Sequence, residues 1–178
     1  MSVPVYSYIF QEEEQVTVSF FTTKTGTDYR VYFYPASEFF NQLDPTSLLY
    51  RYGYFFGFTK LNPNEGKAEP IDLSVRATIT HILDQFFANN GQENVLIFYC
   101  DGDDGKNGKR AKSFQRWFDN AATQTSFYKY DEEIILLSDE GIAVRTDYLS
   151  LIIERNNTLH ADLQNEFQHL KEQFIANK

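Results

Sequence analysis

The spacing of apolar residues changes along the chain from every second position to a helical period, and this change limits the possible folds most. In the first third of the chain, apolar and polar residues alternate over residues 16–20 and 29–33. Alternation with a period of two is typical of strands that bury one face. The segment 24–28 between them is polar and contains Gly26, as hairpin connections commonly do. We therefore expect two neighbouring antiparallel strands.

A further strand is predicted over residues 50–59, where aromatic residues occupy every second position. These aromatic residues are Tyr50, Tyr52, Tyr54, Phe56 and Phe58. The opposite face carries Gly53 and Gly57, which have no side chain to keep another element at a distance. A helix, an aromatic side chain or a ligand could pack there, and a helix is the expectation. The polar segment 62–70, with two prolines, ends the strand-rich part of the chain.

Three later segments have the apolar period of amphipathic helices. The first runs from a cap at Asp72 to the stop at Gly91, the second covers residues 108–122, and the third follows a cap at 156–158. Their apolar stripes are Val75, Ile79, Ile82, Leu83, Phe86 and Phe87; Ala111, Phe114, Phe118 and Ala121; and Leu159, Leu163, Phe167, Leu170 and Phe174. Each stripe needs a surface that buries it, so these helices should pack on a sheet.

The strands between these helices decide the fold class. Residues 95–100 form a continuous apolar run, which is typical of a central strand buried on both faces. Strands are also predicted at 127–130, 134–137, 142–144 and 149–153, with a turn at 138–141. The order predicts an α+β fold with a mixed, largely antiparallel sheet and three helices packed on it, in one domain over residues 1–178. The same order is compatible with a ribonuclease-H-like topology, although the predicted first strands carry no acid for the metal chemistry of that fold.

Composition and charge exclude several classes of protein. The formal charge of −9 repels nucleic acid and anionic membrane surfaces, so neither is an expected partner. Cys100 is the single cysteine, which is typical of a reducing compartment. No basic and apolar leader and no apolar run of membrane-spanning length is present, so we expect a cytoplasmic protein. Aromatic residues make up 17% of the chain and fit an aromatic-rich sheet and core.

Three aspartates, Asp101, Asp103 and Asp104, follow the buried strand in a glycine-rich loop. In sheets with parallel strands, ligands usually bind beyond the carboxyl ends of the strands, and this loop has that position. Clustered carboxylates can bind Mg²⁺ or another divalent cation, while Arg110, near the start of the next helix, can bind phosphate. The alternative is a strand-to-helix turn whose acids complement the helix N-terminus, with Arg110 in an ion pair with Asp101 or Asp103. Both interpretations stay open.

The acidic loop matches no complete catalytic motif. An EF-hand requires glycine at its sixth position, which is Lys106 when the loop is counted from Asp101. The Asp-x-Asp after an apolar strand resembles the first motif of haloacid-dehalogenase-type phosphatases, but the antiparallel start of the chain contradicts that fold. The sequence therefore assigns no catalytic residue.

A basic stripe is predicted on the outer face of the helix that follows the loop. It consists of Lys109, Lys112 and Arg116, with Trp117 beside it. Such a stripe could bind phosphate backbones with Trp117 stacking on a base, or an acidic surface of a protein. In an acidic chain it is more often a solvated helix face.

Two blocks of sequence carry a resemblance to a known family. Residues 95–104 read VLIFYCDGDD and are followed by Arg110, Phe114, Trp117 and Phe118, and residues 151–156 read LIIERN. With these blocks the chain, from about residue 20 to about residue 174, is similar to a family of small bacterial proteins of unknown function. The resemblance implies a stand-alone bacterial cytoplasmic domain, and it implies no activity.

The sequence favours a non-enzymatic binding or regulatory module that acts through contacts with a protein partner or within a homo-oligomer. The chain has no complete catalytic set, its tyrosines and phenylalanines are of the types enriched at interfaces, and its acidic and basic segments are separate. This hypothesis requires no cofactor. The alternative is a metal- or phosphate-dependent enzyme that uses the acidic loop.

Overall fold

The computed structural model describes residues 3–40, 43–62, 72–100, 105, 107–119 and 126–176. This part of the chain has an α+β fold with a seven-stranded mixed sheet and five helices, so the predicted fold class is confirmed. The chain divides into two compact units. Met1–Tyr34 and Phe56–Gly91 form the first, and Pro35–Phe55 and Gln92–Lys178 form the second. The single-domain organisation and the ribonuclease-H-like topology stay predictions.

The first unit begins with antiparallel strands. Strands β1 (Tyr8–Glu13), β2 (Val16–Thr22), β3 (Asp28–Pro35) and β4 (Gly53–Lys60) are hydrogen-bonded in the order β1-β2-β3-β4. β1 pairs antiparallel with β2, and β2 with β3. The predicted hairpin between β2 and β3 is confirmed. Gly26 has a φ of +80°, a left-handed conformation that glycine adopts without strain.

Two short helices before β4 correct the prediction for residues 50–52. They are α1 (Ala36–Phe39) and α2 (Leu48–Tyr52), so the first residues of the aromatic row are helical and not extended. The Ser47 hydroxyl accepts a hydrogen bond from the Tyr50 amide at 3.1 Å. Both carboxylate oxygens of Glu166 accept from the amides of Leu48 and Leu49, at 3.0 and 2.8 Å. These acceptors satisfy the first amides of α2, which favours the helix.

The two glycines of β4 allow close packing, as expected, but with different neighbours. A Cβ at Gly57 would lie 2.5 Å from the ring of Tyr32, and one at Gly53 would lie 2.3 Å from the Leu49 carbonyl oxygen of α2. An aromatic ring therefore fills one position and a helix backbone the other.

Helix α3 (Leu73–Asn90) completes the first unit. The Asp72 side chain accepts a hydrogen bond from the Ser74 amide at 2.9 Å, and Gly91 follows with a φ of +96°. All six residues of the predicted stripe are buried. The ring of Phe86 stacks on that of Phe33 in β3 with centroids 4.1 Å apart. Both the predicted bounds and the predicted buried face are confirmed.

The second unit contains β5 (Val95–Cys100), α4 (Asn107–Phe118), β6 (Phe127–Leu137), β7 (Ala143–Glu154) and α5 (His160–Ala176). Its strands have the order β5-β7-β6, and both pairings are antiparallel. β6 and β7 are long and continuous, whereas the sequence predicted two short strands in place of each. The turn at 138–141 between them is confirmed, with Gly141 at a φ of +76°.

Helices α4 and α5 cover opposite faces of these strands. In α4 the buried Phe114 lies 4.2 Å, between centroids, from Phe98 of β5. In α5 the residues Gln168 and Lys171 bind Glu132 of β6, whose side chain lies on the other face. No helix among the described residues is both long and apolar enough to span a membrane.

Candidate functional site

The three aspartates predicted as a metal or phosphate site, Asp101, Asp103 and Asp104, lie outside the described residues. Their convergence, and with it the enzyme hypothesis and its Mg²⁺ or other divalent cation, therefore stays a prediction. Among the residues that the structure describes, no group of three His, Cys, Asp or Glu side chains is arranged to hold a metal ion.

The basic residues of α4 lie on its outer face. Lys109, Lys112 and Arg116 are exposed, and Trp117 is partly buried. Arg110 is exposed as well. It lies in the first turn of α4, before Phe114, the first fully buried residue of the stripe. A binding role for these residues stays a prediction.

An ion pair that the sequence did not indicate lies within β7, and a hydrogen bond from Tyr99 of β5 joins it to that strand. The Asp147 side chain is completely buried and accepts hydrogen bonds from Arg145 Nε at 2.5 Å and from a terminal guanidinium nitrogen of Arg145 at 2.8 Å. The Tyr99 hydroxyl donates a third bond to Asp147 at 2.5 Å. The Phe39 ring packs edge-on against Tyr99 at a centroid distance of 6.5 Å. Every charge in this cluster is compensated.

The electrostatics of this cluster make it a structural clamp. Burial and the hydrogen bond to Asp147 raise the pKa of Tyr99, so the phenol keeps its proton at neutral pH. The hydrogen bonds to Asp147 likewise raise the pKa of Arg145. Tyr99 keeps its proton and Arg145 keeps its charge near neutral pH, so these side chains suit the positioning of neighbouring groups better than proton transfer in acid–base catalysis. The only sequence signal was the spacing of Arg145 and Asp147, two positions apart, which places both on one face of a strand.

A second polar cluster lies on the opposite face of the same strands, beneath α4. The Lys129 amine donates to Gln115 Oε1 at 2.5 Å and to the Asp131 carboxylate, and Ser150 Oγ also donates to Asp131 at 2.5 Å. The amine lies 5.6 Å from the ring centroid of Phe114. Burial lowers the pKa of Lys129, and the contact with Asp131 opposes this change. This cluster fastens α4 to β6.

Beyond these clusters, the β6–β7 hairpin exposes apolar side chains. Ile135 is 47% exposed, Leu137 60%, Ile142 61% and Val144 64%. Single exposed apolar residues are common, but four within the ten residues from Ile135 to Val144 form a patch. The patch surrounds the turn at 138–141, which carries the exposed acids Asp139 and Glu140. We call the segment 133–144 the hairpin tip.

The two faces of β6 differ near the hairpin tip. Toward α5, Ile134 is fully buried and Glu132 is bound by Lys171 and Gln168, at 2.5 and 2.6 Å. Toward α4, the residues Asp131, Glu133, Ile135 and Leu137 are exposed in succession. The side chains of β6 toward α5 attach this strand to the rest of the second unit. The exposed side chains toward α4 can contact another molecule.

An open groove of about 620 Å³ lies in the first unit. Stacked aromatic rings line it, with centroid distances of 6.0 Å between Tyr6 and Phe21 and 5.0 Å between Phe21 and Tyr29. Lys60 lies 5.7 Å from the Tyr29 centroid. This groove is a concave surface that flat or apolar groups could contact.

A comparison with family models assigns part of the chain to a family. The model of a family of unknown function, DUF6169, matches residues 71–169, which is more than half of the 178 residues. The chain belongs to DUF6169. The predicted resemblance to a family of unknown function is therefore confirmed. No curated protein and no solved structure matches the chain significantly.

The DUF6169 segment contains α3, β5, α4, β6, β7 and the first part of α5. The Tyr99–Arg145–Asp147 clamp, the Lys129 cluster and the hairpin tip all lie within it. The residues that line the aromatic groove, from Tyr6 to Leu61, lie outside it. Within the family segment, the hairpin tip is the part of the described chain where four apolar side chains lie exposed close together in sequence.

Proposed function

We propose that the chain is a non-enzymatic protein-binding module that docks its partner on the hairpin tip. The observation that carries the proposal is the exposure of Ile135, Leu137, Ile142 and Val144 on one element. Contact with another protein would bury these side chains, and each fully buried aliphatic side chain contributes about 1.5–3 kcal/mol. Aliphatic contacts of this kind need no cofactor, so the proposal includes none.

The clamp at the base of the hairpin supports this proposal. Arg145 and Asp147 lie on β7 next to the tip, and Asp147 is paired in register with the fully buried Ile134 of β6. The clamp fixes β7 to β5, and the register fixes β6 to β7, so the hairpin is held against the rest of the second unit. A surface that is rigid before binding loses less conformational entropy when the partner docks. The clamp would therefore favour tight docking without taking part in it.

The charges at the tip indicate what kind of surface fits. Glu133, Asp139 and Glu140 are exposed around the apolar side chains, so the patch has an apolar centre and an acidic rim. Interfaces commonly have a buried apolar core and a polar rim. The acidic rim repels nucleic acid, in agreement with the net charge of −9.

A cytoplasmic location in a bacterium belongs to the same proposal. Cys100 is a free, buried thiol, which fits a reducing compartment. The bacterial source rests on the resemblance of the blocks at 95–104 and 151–156.

Site-specific photo-crosslinking in living cells tests the docking surface. A benzophenone amino acid replaces Ile142 at the hairpin tip, and in the control it replaces the exposed Asn165 on the outer face of α5. We expect discrete protein adducts from position 142 and none from position 165. The control separates docking from random collision, because both positions are exposed to solvent. Absence of adducts at position 142, or the same adducts from both positions, would overturn the proposal.

A further inference from the structure

Among the described residues, β6 pairs with a strand on one side only, β7, and no strand pairs with its outer edge. β6 is the terminal strand of the order in the second unit, and it is 11 residues long. Its last four residues, 134–137, are all aliphatic, with no charge and no proline. A terminal strand has backbone N–H and C=O groups on its outer side that another strand can bind. An edge of this length and composition is suited to strand pairing.

The terminal strand of the first unit provides a contrast. β1 is six residues long, and its second half reads Gln11, Glu12 and Glu13, all exposed. Charged side chains and short length are the means by which natural sheets prevent edge pairing. β1 has this protection, whereas residues 134–137 of β6 carry no charge.

The charges of β6 favour antiparallel over parallel pairing of two copies. In a parallel pair of two β6 strands, Asp131, Glu132 and Glu133 would face their own copies, and like charges opposite one another are destabilising. In an antiparallel pair centred at Ile135, Glu133 lies opposite Leu137 of the second copy, and Ile134 lies opposite Leu136. The acidic segments 131–133 of the two copies then lie at opposite ends of the contact, each beside the turn of the other copy. The aliphatic residues 134–136 therefore face the same segment of the second copy when the strand is turned by a two-fold axis.

A two-fold pair would also join the exposed faces of the two strands. Ile135 and Leu137 point to the same face of β6, since they are two positions apart. Both copies present this face on the same side of an antiparallel two-fold pair. The four aliphatic side chains from two strands would then form one apolar row. The pair is closed, because each copy uses its single open β6 edge, and no further copy can add there.

We infer that the partner of the hairpin tip is a second copy of this chain, bound by antiparallel pairing of β6 with β6. This inference rests on the proposed function and specifies its partner. In the dimer, the strands of the second unit of each copy would form one continuous sheet across the two-fold axis. The exposed tip residues Ile142 and Val144 lie beside this seam.

Sedimentation equilibrium of the purified full chain over a range of concentrations tests the inference. We expect the mass to approach twice the 20.8 kDa of one chain as concentration rises. The double variant Ile135→Lys/Leu137→Lys should sediment as one chain at all concentrations. The matched control is Ile9→Lys/Gln11→Lys, which adds the same two charges at the same spacing to exposed positions of β1. This control should dimerise like the wild type.

Thermal melts of each variant show whether it is folded. If the double variant does not fold, the single variant Leu137→Lys is used, and it should weaken dimerisation by about tenfold or more. A wild type that stays monomeric at all concentrations, or a dimer lost only in the β1 variant, would overturn the inference. The photo-crosslinking experiment distinguishes failure of the dimer inference from failure of the proposed docking surface. Adducts at position 142 with another protein would leave the docking surface standing, and absence of any adduct would remove both.

Discussion

Removal of the Arg145 guanidinium is the perturbation with the largest effect that the structure indicates for a single polar side chain. In Arg145→Met the side chain keeps much of its length and loses its charge. Asp147 then retains one hydrogen bond, from Tyr99, and loses the two from Arg145. Because the Asp147 side chain is completely buried, water cannot replace the lost partner.

The size of this effect follows from the burial of Asp147. Removing one partner of a buried ion pair leaves an uncompensated charge and costs about 3–5 kcal/mol of stability. The Arg145 side chain is 24% exposed, so solvent already screens part of its attraction to Asp147. We therefore expect a loss near the lower end, about 3 kcal/mol. Urea titration monitored by circular dichroism measures it from the shift in midpoint.

A double-mutant cycle separates the lost ion pair from lost packing. In the background Asp147→Asn no buried charge remains, and Tyr99 can still donate to the amide oxygen. Arg145→Met should therefore cost much less in that background than in the wild type, by about 2 kcal/mol. A cost below about 1 kcal/mol in the wild type, or equal costs in both backgrounds, would refute the description of this cluster as a clamp.

Three further outcomes are expected from urea titrations. Phe86→Ala should lose about 3–5 kcal/mol, because its fully buried ring stacks on Phe33 at 4.1 Å; a loss below about 1 kcal/mol would contradict this packing. Lys129→Met should change stability by no more than about 1 kcal/mol, because the buried Lys129 side chain is 4% exposed but its partner Asp131 is 50% exposed, so the substitution leaves no buried unpaired charge. A loss as large as that of Arg145→Met would contradict this reasoning. The raised pKa of Tyr99 means that this side chain stabilises the fold below pH 10.0, its usual pKa, and that this contribution is lost as the pH rises further. The difference in unfolding free energy between wild type and Tyr99→Phe should therefore become smaller above pH 10.0, and a difference that does not change with pH would contradict this reasoning.

The main helices were predictable from sequence because each carries a local stripe that any sheet would bury. The stripe from Val75 to Phe87 with Asp72 as its cap predicted α3 to within one residue. By contrast, residues 50–52 alternate like a strand, but they are helical because Glu166 accepts hydrogen bonds from the amides of Leu48 and Leu49. This acceptor lies more than a hundred positions away, and no local pattern contains it.

The lengths of β6 and β7 were not predictable for a related reason. Asp131–Glu133 and Arg145–Asp147 look like loop segments because charged residues are uncommon in strands. Two of these charges have partners that lie far away in sequence. Glu132 binds Lys171 of α5, 39 positions away, and Tyr99 of β5 binds Asp147. Sequence pattern alone cannot supply these pairings.

The hairpin tip was not among the candidate residues predicted from sequence. The expectation of a protein-binding surface rested on the surplus of Tyr and Phe, whereas the exposed patch consists of aliphatic residues. Residues 134–137 have the composition of an ordinary buried strand. Ile135 and Leu137 are nevertheless exposed on the face toward α4, and this depends on where that helix packs, which no local pattern contains.

Pairing of the β6 edges is tested most directly by hydrogen–deuterium exchange of the purified chain at two concentrations, about 1 µM and about 200 µM. Amides of an edge strand exchange rapidly when they bind only water, and more slowly when a second strand accepts or donates their hydrogen bonds. We expect exchange over residues 132–138 to slow at the higher concentration, and to show no such change in Ile135→Lys/Leu137→Lys. Exchange over 132–138 that is independent of concentration, or slowing that appears instead over residues 8–13 of β1, would contradict the pairing.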